Sequence, residues 1–91
     1  MINELDPELL DDIENCINGR QDFRIGGRGI CINVIYLEAA KTYVATVPRA
    51  FVEIHASDVR LGREAASLTF YDRGLPIAVI DLLEYTKVTK I

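Results

Sequence analysis

The feature that most constrains the fold of this chain is a change of pattern at Gly19. Before Gly19 the apolar residues recur at helical spacing, and after it apolar and polar residues alternate as they do in β-strands. Turn-forming residues separate the alternating runs at short intervals, which is typical of an antiparallel meander. A length of 91 residues allows one hydrophobic core and is too short for two packed domains. We therefore expect a single α+β domain over residues 1–91, with a helix on an antiparallel sheet of about five to seven strands. A sheet curled into a partial barrel is a variant of this fold.

The predicted helix covers about residues 7–18 and has clear start and stop signals. Asp6 suits the N-cap and Pro7 suits the first helical position, where its missing N–H costs no hydrogen bond. Asn18 and Gly19 provide a left-handed exit. A helix of about three turns is marginal alone in water, so the sheet or another molecule has to cover its apolar stripe. That stripe consists of Leu9, Leu10, Ile13, Cys16 and Ile17.

The sheet region is expected over about residues 20–91. Two strands, at about 21–25 and 30–37, are joined across the glycines of 26–29, which we interpret as a hairpin turn and not as a phosphate-binding loop, because a strand follows them. The strand at 30–37 is apolar on both faces, which favours a central position covered by the helix on one side and by a loop, a curled sheet or a partner on the other. Segment 57–65 is expected to be a loop. Further strands are expected at about 42–47, 50–56, 66–71, 76–82 and 84–91.

Charge is distributed unevenly along the chain. The net charge is −4, yet residues 1–18 hold six carboxylates and no lysine or arginine, which leaves the other residues with ten positive and eight negative charges. Such an acidic helix suits a basic protein partner, and ion pairs with the arginines of its own sheet are the alternative. The candidate partner-binding residues are Glu8, Asp11, Asp12 and Glu14.

Two other classes of function are weighed against a protein–protein contact. Arginines and aromatic residues on a sheet can bind single-stranded nucleic acid, although the weak positive charge of this sheet region opposes it. The candidate residues for that contact are Phe23, Arg24, Arg28, Arg60 and Arg63. A small enzyme or ligand carrier is the third class, because His55 and Glu53 fall on the same side of a predicted strand and a carboxylate orients a histidine base. The sequence offers no convincing nucleophile for that base, so we expect no enzymatic activity.

Several further expectations follow from residue types and run lengths. Two cysteines, Cys16 and Cys31, and a single histidine cannot build a four-ligand zinc site of these residue types alone, and we expect reduced thiols, no metal and no cofactor. The longest apolar run, residues 75–80, is far shorter than the roughly 20 residues that cross a membrane, and the acidic start does not resemble a secretory signal. We therefore expect a cytoplasmic, non-enzymatic interaction module (an adaptor, regulator or inhibitor) that forms a homodimer to cover apolar residues left on its sheet.

Overall fold

The computed structural model describes residues 7–91, so the expected cap at Asp6 lies outside the described residues. Within this range the chain forms one α-helix, eight strands and a one-turn 3₁₀ helix at Pro48–Ala50. The helix α1 spans Pro7–Asn18, as expected. The strands are β1 (Phe23–Gly27), β2 (Cys31–Leu37), β3 (Thr42–Val47), β4 (Val52–Ala56), β5 (Asp58–Gly62), β6 (Ser67–Asp72), β7 (Leu75–Asp81) and β8 (Tyr85–Lys90).

The strands form two antiparallel sheets that do not close into a barrel. The larger sheet has the order β4-β3-β2-β1-β8, so four strands follow one another as a meander and β8 returns to pair with β1. The smaller sheet is the meander β5-β6-β7. The α+β class and the antiparallel arrangement are confirmed, and the central position expected for β2 is also found.

The strand count exceeds the expected range because segment 57–65, interpreted as a loop, contains β5. Val59 of this strand is buried and Leu61 is half-buried, whereas Arg60 between them is exposed. This alternation is that of a strand with one face on a core. In the sequence alone, the turn-forming residues on both sides, Ser57 and Gly62, favour a loop more strongly than this short alternation favours a strand.

One hydrophobic core joins the helix and both sheets. Its largest fully buried side chains include Ile13 from α1, Phe23 and Ile32 from the larger sheet, and Leu68 and Phe70 from the smaller one. The helix packs against β5 and β8, each an edge strand of its sheet. The buried face of β2 lies in the same core as the apolar stripe of the helix.

The outward face of β2 carries the apolar residues for which a cover was expected. Ile35 and Leu37 are exposed, whereas Ile32 and Val34 on the opposite face are fully buried. Among residues 7–91, no helix is long and apolar enough to cross a membrane.

Candidate functional site

The acidic face of α1 is partly neutralised by the chain itself. Arg63 lies in the turn between β5 and β6, and its Nη2 donates hydrogen bonds to Asp11 Oδ1 at 2.6 Å and to Glu14 Oε1 at 2.8 Å. These two hydrogen bonds raise the pKa of Arg63. Glu8 and Asp12, the other two candidate residues, are exposed. The intramolecular alternative is thus realised for Asp11 and Glu14.

The residues considered for nucleic-acid binding are spread over both sheets. Arg24 lies on the outer face of the larger sheet, where its Nε donates a 2.7 Å hydrogen bond to Asn33. Arg28 is exposed at the β1–β2 turn. Arg60 belongs to the smaller sheet and pairs with Asp58 at 2.9 Å. Phe23 is fully buried in the core, so its ring is inaccessible to a nucleic acid base.

His55 and Glu53 are brought together as strand alternation predicts. His55 Nε2 lies 2.6 Å from Glu53 Oε1, and both side chains are exposed on the outer face of β4. In the adjacent strand they face Val44 and Thr46, so the surroundings are an open strand surface. Neither residue lines the two surface grooves described next.

Sequence reasoning missed a tyrosine and arginine cluster at the C-terminal end of α1. Arg20 adopts a left-handed backbone conformation (φ 52°) and places its guanidinium 5.0 Å from the centre of the Tyr36 ring. The Tyr36 and Tyr43 rings lie 4.7 Å apart, and burial raises the pKa of Tyr43, whose hydroxyl donates to the Ile17 carbonyl at 3.3 Å. Grooves of about 360 and 490 Å³ open on the two sides of Arg20. The helix-end signal at Asn18 placed Arg20 near a turn, but no local pattern indicated its contact with the tyrosines.

The outer strand of the smaller sheet, β7, carries more exposed large apolar side chains than any other described strand. Leu75 is 68% exposed, Ile77 is 49% exposed and Val79 is 64% exposed, whereas Ile80 is only partly exposed. Within the described chain, β7 pairs with β6 on one side only. Apolar side chains and an unpaired strand edge therefore occur together in one segment.

The pairing with β6 shows which backbone groups of β7 point away from the sheet. The N–H of Leu82 donates to the Ala66 carbonyl at 2.8 Å, and from there the register runs without interruption to the Phe70 and Ala78 pair. Because hydrogen-bonded and non-hydrogen-bonded pairs alternate in an antiparallel ladder, Ile80 and Ala78 also bond to β6. The backbone groups of Val79 and Asp81 consequently face outward. Toward the N-terminal end of β7, this outward-facing edge is interrupted by a β-bulge beside Ile77 and by Pro76, which has no N–H.

The remaining candidate chemistry is sparse in the described residues. Cys16 is buried, which raises the pKa of its thiol, and Cys31 is half-buried; both are free. No group of three or more His, Cys, Asp or Glu side chains in residues 7–91 is arranged to hold a metal ion.

Comparisons with protein-family models, curated proteins and solved structures found no match to this chain. The class that the fold defines is an α+β domain of one helix on two antiparallel sheets. Any function has to be argued from its own surfaces, among which β7 is the most apolar.

Proposed function

We propose that this chain is a small, non-enzymatic protein–protein interaction module, an adaptor, regulator or inhibitor, that works in the cytoplasm as a homodimer. The observation that carries the proposal is the exposure of Leu75, Ile77 and Val79 on an edge strand. Large apolar side chains grouped on one unpaired strand are typical of surfaces that another protein covers. Two free thiols also suit a reducing compartment.

The apolar surface of β7 is large enough to drive a weak association. The exposed fractions of these three side chains add up to nearly two complete side chains. Covering a whole Leu, Ile or Val side chain stabilises by about 1.5–3 kcal/mol, so β7 offers about 3–5 kcal/mol per copy. The two surfaces of a dimer together exceed the cost of association only if that cost lies in the lower part of its range of about 4–15 kcal/mol. We therefore expect a reversible dimer with a dissociation constant in the micromolar range or weaker.

The other surfaces support their functions less well. The acidic face of α1 remains the surface for a basic partner, but Arg63 already neutralises Asp11 and Glu14. A nucleic-acid site would lose its expected aromatic platform, because Phe23 is buried. An enzyme or ligand carrier at His55 would have to work on an open strand surface and not in a groove.

The proposal is tested by sedimentation equilibrium of the full chain from about 1 to 500 µM. We expect a mass that rises above 10.2 kDa with concentration. The variant Val79→Lys places a charge in the centre of the apolar strand and should abolish the rise. Its matched control, Thr89→Lys, adds the same charge to the exposed face of β8 and should keep it. A 10.2 kDa species at every concentration, or equal behaviour of the two variants, would refute the proposal.

A further inference from the structure

We infer that β4, an outer strand of the larger sheet, pairs with β4 of a second copy of this chain when His55 is protonated. The two strands run antiparallel about a twofold axis at Ile54, so two five-stranded sheets form one of ten strands. Such a contact is isologous, since each copy offers the same residues. It lies on the other sheet from β7 and does not depend on what covers β7.

The hydrogen bonds of the larger sheet show which backbone groups of β4 point outward. The N–H of Gly27 donates to the Ile30 carbonyl at 2.9 Å, which fixes the hydrogen-bonded pairs at the turn between β1 and β2. From this turn the registers run to β4 without a bulge. Because hydrogen-bonded and other pairs alternate along each ladder, Ile54 bonds to β3, whereas Glu53 and His55 direct their N–H and C=O groups outward. Within the described chain, β4 has no strand on that side.

The order of the charges on β4 selects the register. Outward-facing residues pair with outward-facing residues of the second copy, so the axis has to lie at Glu53, at Ile54 or at His55 if most of the strand is to pair. An axis at Glu53 or at His55 places like charges opposite each other. An axis at Ile54 places Glu53 of each copy opposite His55 of the other. Both side chains are accessible for this contact, because His55 is 59% and Glu53 is 58% exposed.

His55 can bond to the carboxylates of both copies only when it is protonated. A neutral imidazole has one N–H group, whereas a protonated imidazole has two. His55 Nε2 lies 2.6 Å from Glu53 Oε1 of its own copy, so protonation provides Nδ1 as a second donor for Glu53 of the other copy. An ordinary histidine gains this proton below about pH 6.5. The contact should therefore strengthen as the pH falls from 7.5 to about 6.

Among the described side chains, no other charged group faces His55 from the elements that pack against β4. The adjacent strand β3 offers Val44 and Thr46 on the same face of the sheet. The strand β6 packs against the buried face of β4, so its Tyr71 and Asp72 lie on the other side of the sheet. Glu53 is thus the carboxylate that decides this contact.

The strand β4 complements itself, which favours a second copy over an unrelated strand. A partner has to present a cation and a carboxylate two residues apart in reverse order, and an antiparallel β4 does so. On the opposite face of the new ladder, Ile54 meets itself and Val52, which is 44% exposed, meets Ala56. The other outer strand of the larger sheet, β8, carries Lys87 and Lys90 and no carboxylate, so it lacks this complementarity.

The size of the contact indicates a weak association. The five residues of β4 span about 17 Å at about 3.4 Å per residue. This strip is much smaller than the roughly 800 Å² per partner of a stable interface. We therefore expect a dissociation constant of about 1 mM at pH 6 and about fivefold weaker binding at pH 7.5, because exposed ion pairs contribute little each.

NMR spectroscopy tests the contact at the residues that form it. The full chain with Val79→Lys, which removes the association proposed for β7, is titrated from about 0.1 to 2 mM at pH 6 and at pH 7.5. We expect the amide resonances of Glu53 and His55 to shift with concentration at pH 6 and about fivefold less at pH 7.5, because their outward N–H groups become hydrogen-bonded. The amide resonances of β8 should not shift with concentration.

Substitutions at both positions test the register. Glu53→Gln and His55→Gln each remove one side of both contacts and should abolish the stronger association at pH 6. The double variant Glu53→His with His55→Glu still places a carboxylate opposite a histidine about an axis at Ile54 and should retain it. Glu38→Gln, in the exposed turn between β2 and β3, removes the same charge as Glu53→Gln and should leave the association unchanged. Circular dichroism of each variant checks that the fold is intact.

The outcomes separate this inference from the proposed function. Concentration-dependent shifts in β4 that are equal at both pH values, that persist in His55→Gln or that vanish in the double variant refute the β4 contact. The absence of any such shift refutes it too, and the proposed function then stands on β7 alone. If Val79→Lys does not suppress the rise of mass at pH 7.5, the proposed function is refuted, whereas the shifts in β4 still decide this inference.

Discussion

Gly27 lies where β1 packs against the start of β8, so a substitution that adds a single methyl group at Gly27 tests this packing. It is the last residue of β1 and lies opposite Tyr85 of β8, where the register of this strand pair shifts. A Cβ atom at Gly27 would overlap the carbonyl oxygen of Glu84 and lie 3.1 Å from the Cα of Tyr85. Both neighbours are backbone atoms, so they cannot move aside as a flexible side chain does. Gly27→Ala therefore has to displace the start of β8 from β1.

Gly26 provides the matched control for this substitution. It precedes Gly27 in the same strand, but a Cβ atom there would meet no heavy atom within 4 Å. Neither glycine has a positive φ angle, so alanine is not strained by the backbone conformation at either position. Gly26→Ala should be neutral or stabilise by up to about 1 kcal/mol, because alanine lowers the entropy of the unfolded chain.

The expected cost of Gly27→Ala is about 1–3 kcal/mol, the usual cost of forcing an added methyl group into a packed site. A domain of this length is stable by roughly 5–14 kcal/mol, so this is a large fraction of the total. It corresponds to a melting temperature lowered by roughly 10 °C. The assay is urea and thermal unfolding of the parent chain and both variants, followed by circular dichroism. Equal stability of the two variants would show that β8 does not approach β1 as closely as described.

Three further substitutions or conditions have definite expected outcomes. Ser57→Ala removes a hydroxyl that joins the β4–β5 corner to the β6–β7 turn and should lower the free energy of unfolding by about 0.5–1.5 kcal/mol in urea titrations. Arg63→Met should lower the melting temperature at low salt, and the difference from the parent chain should shrink in 1 M salt, because the ion pairs with α1 are exposed. Burial raises the pKa values of Cys16, Tyr43 and Tyr85, so above about pH 9 the unfolded chain releases protons that the folded chain retains. Stability should therefore fall as pH rises through the alkaline range; constant stability between pH 8 and 11 would contradict this.

The local parts of the fold were predictable because local signals determine them. Pro7 and Asn18 bound the helix at the expected residues, and a glycine of the β1–β2 turn, Gly29, has a positive φ angle. The left-handed exit from the helix was expected at Asn18 and Gly19 but lies at Arg20, because the chain completes the turn one residue later. The position of Pro76 in an edge strand also agrees with its missing N–H. The place of the helix was not predictable, because an apolar stripe shows which face is buried and not which strands bury it. That choice depends on how the two sheets face each other.

The same limit applies to the surfaces. The acidic residues of α1 were visible in the sequence, but their pairing with Arg63 joins residues 49 and 52 positions apart. The run at 75–80 was visible as the most apolar stretch of the chain, and apolar content by itself favours a buried strand. Its exposure follows from topology, because β7 is the last strand of a sheet of only three.

The position of α1 explains why one edge of the smaller sheet is covered whereas the other edge, β7, is not. The helix α1 packs on β5 of the smaller sheet and on β8 of the larger sheet. The two sheets also contact each other directly, β4 against β6 and β3 against β5. The buried residues of this 12-residue helix include Leu9, Ile13 and Cys16. The opposite edge of the smaller sheet is β7, and no described element pairs with its outward side. β8 is also an edge strand, but its Lys87 and Lys90 discourage indiscriminate pairing, whereas residues 75–80 of β7 have no charge. A chain with a single helix thus covers one open side of its smaller sheet and leaves the other side, β7, exposed.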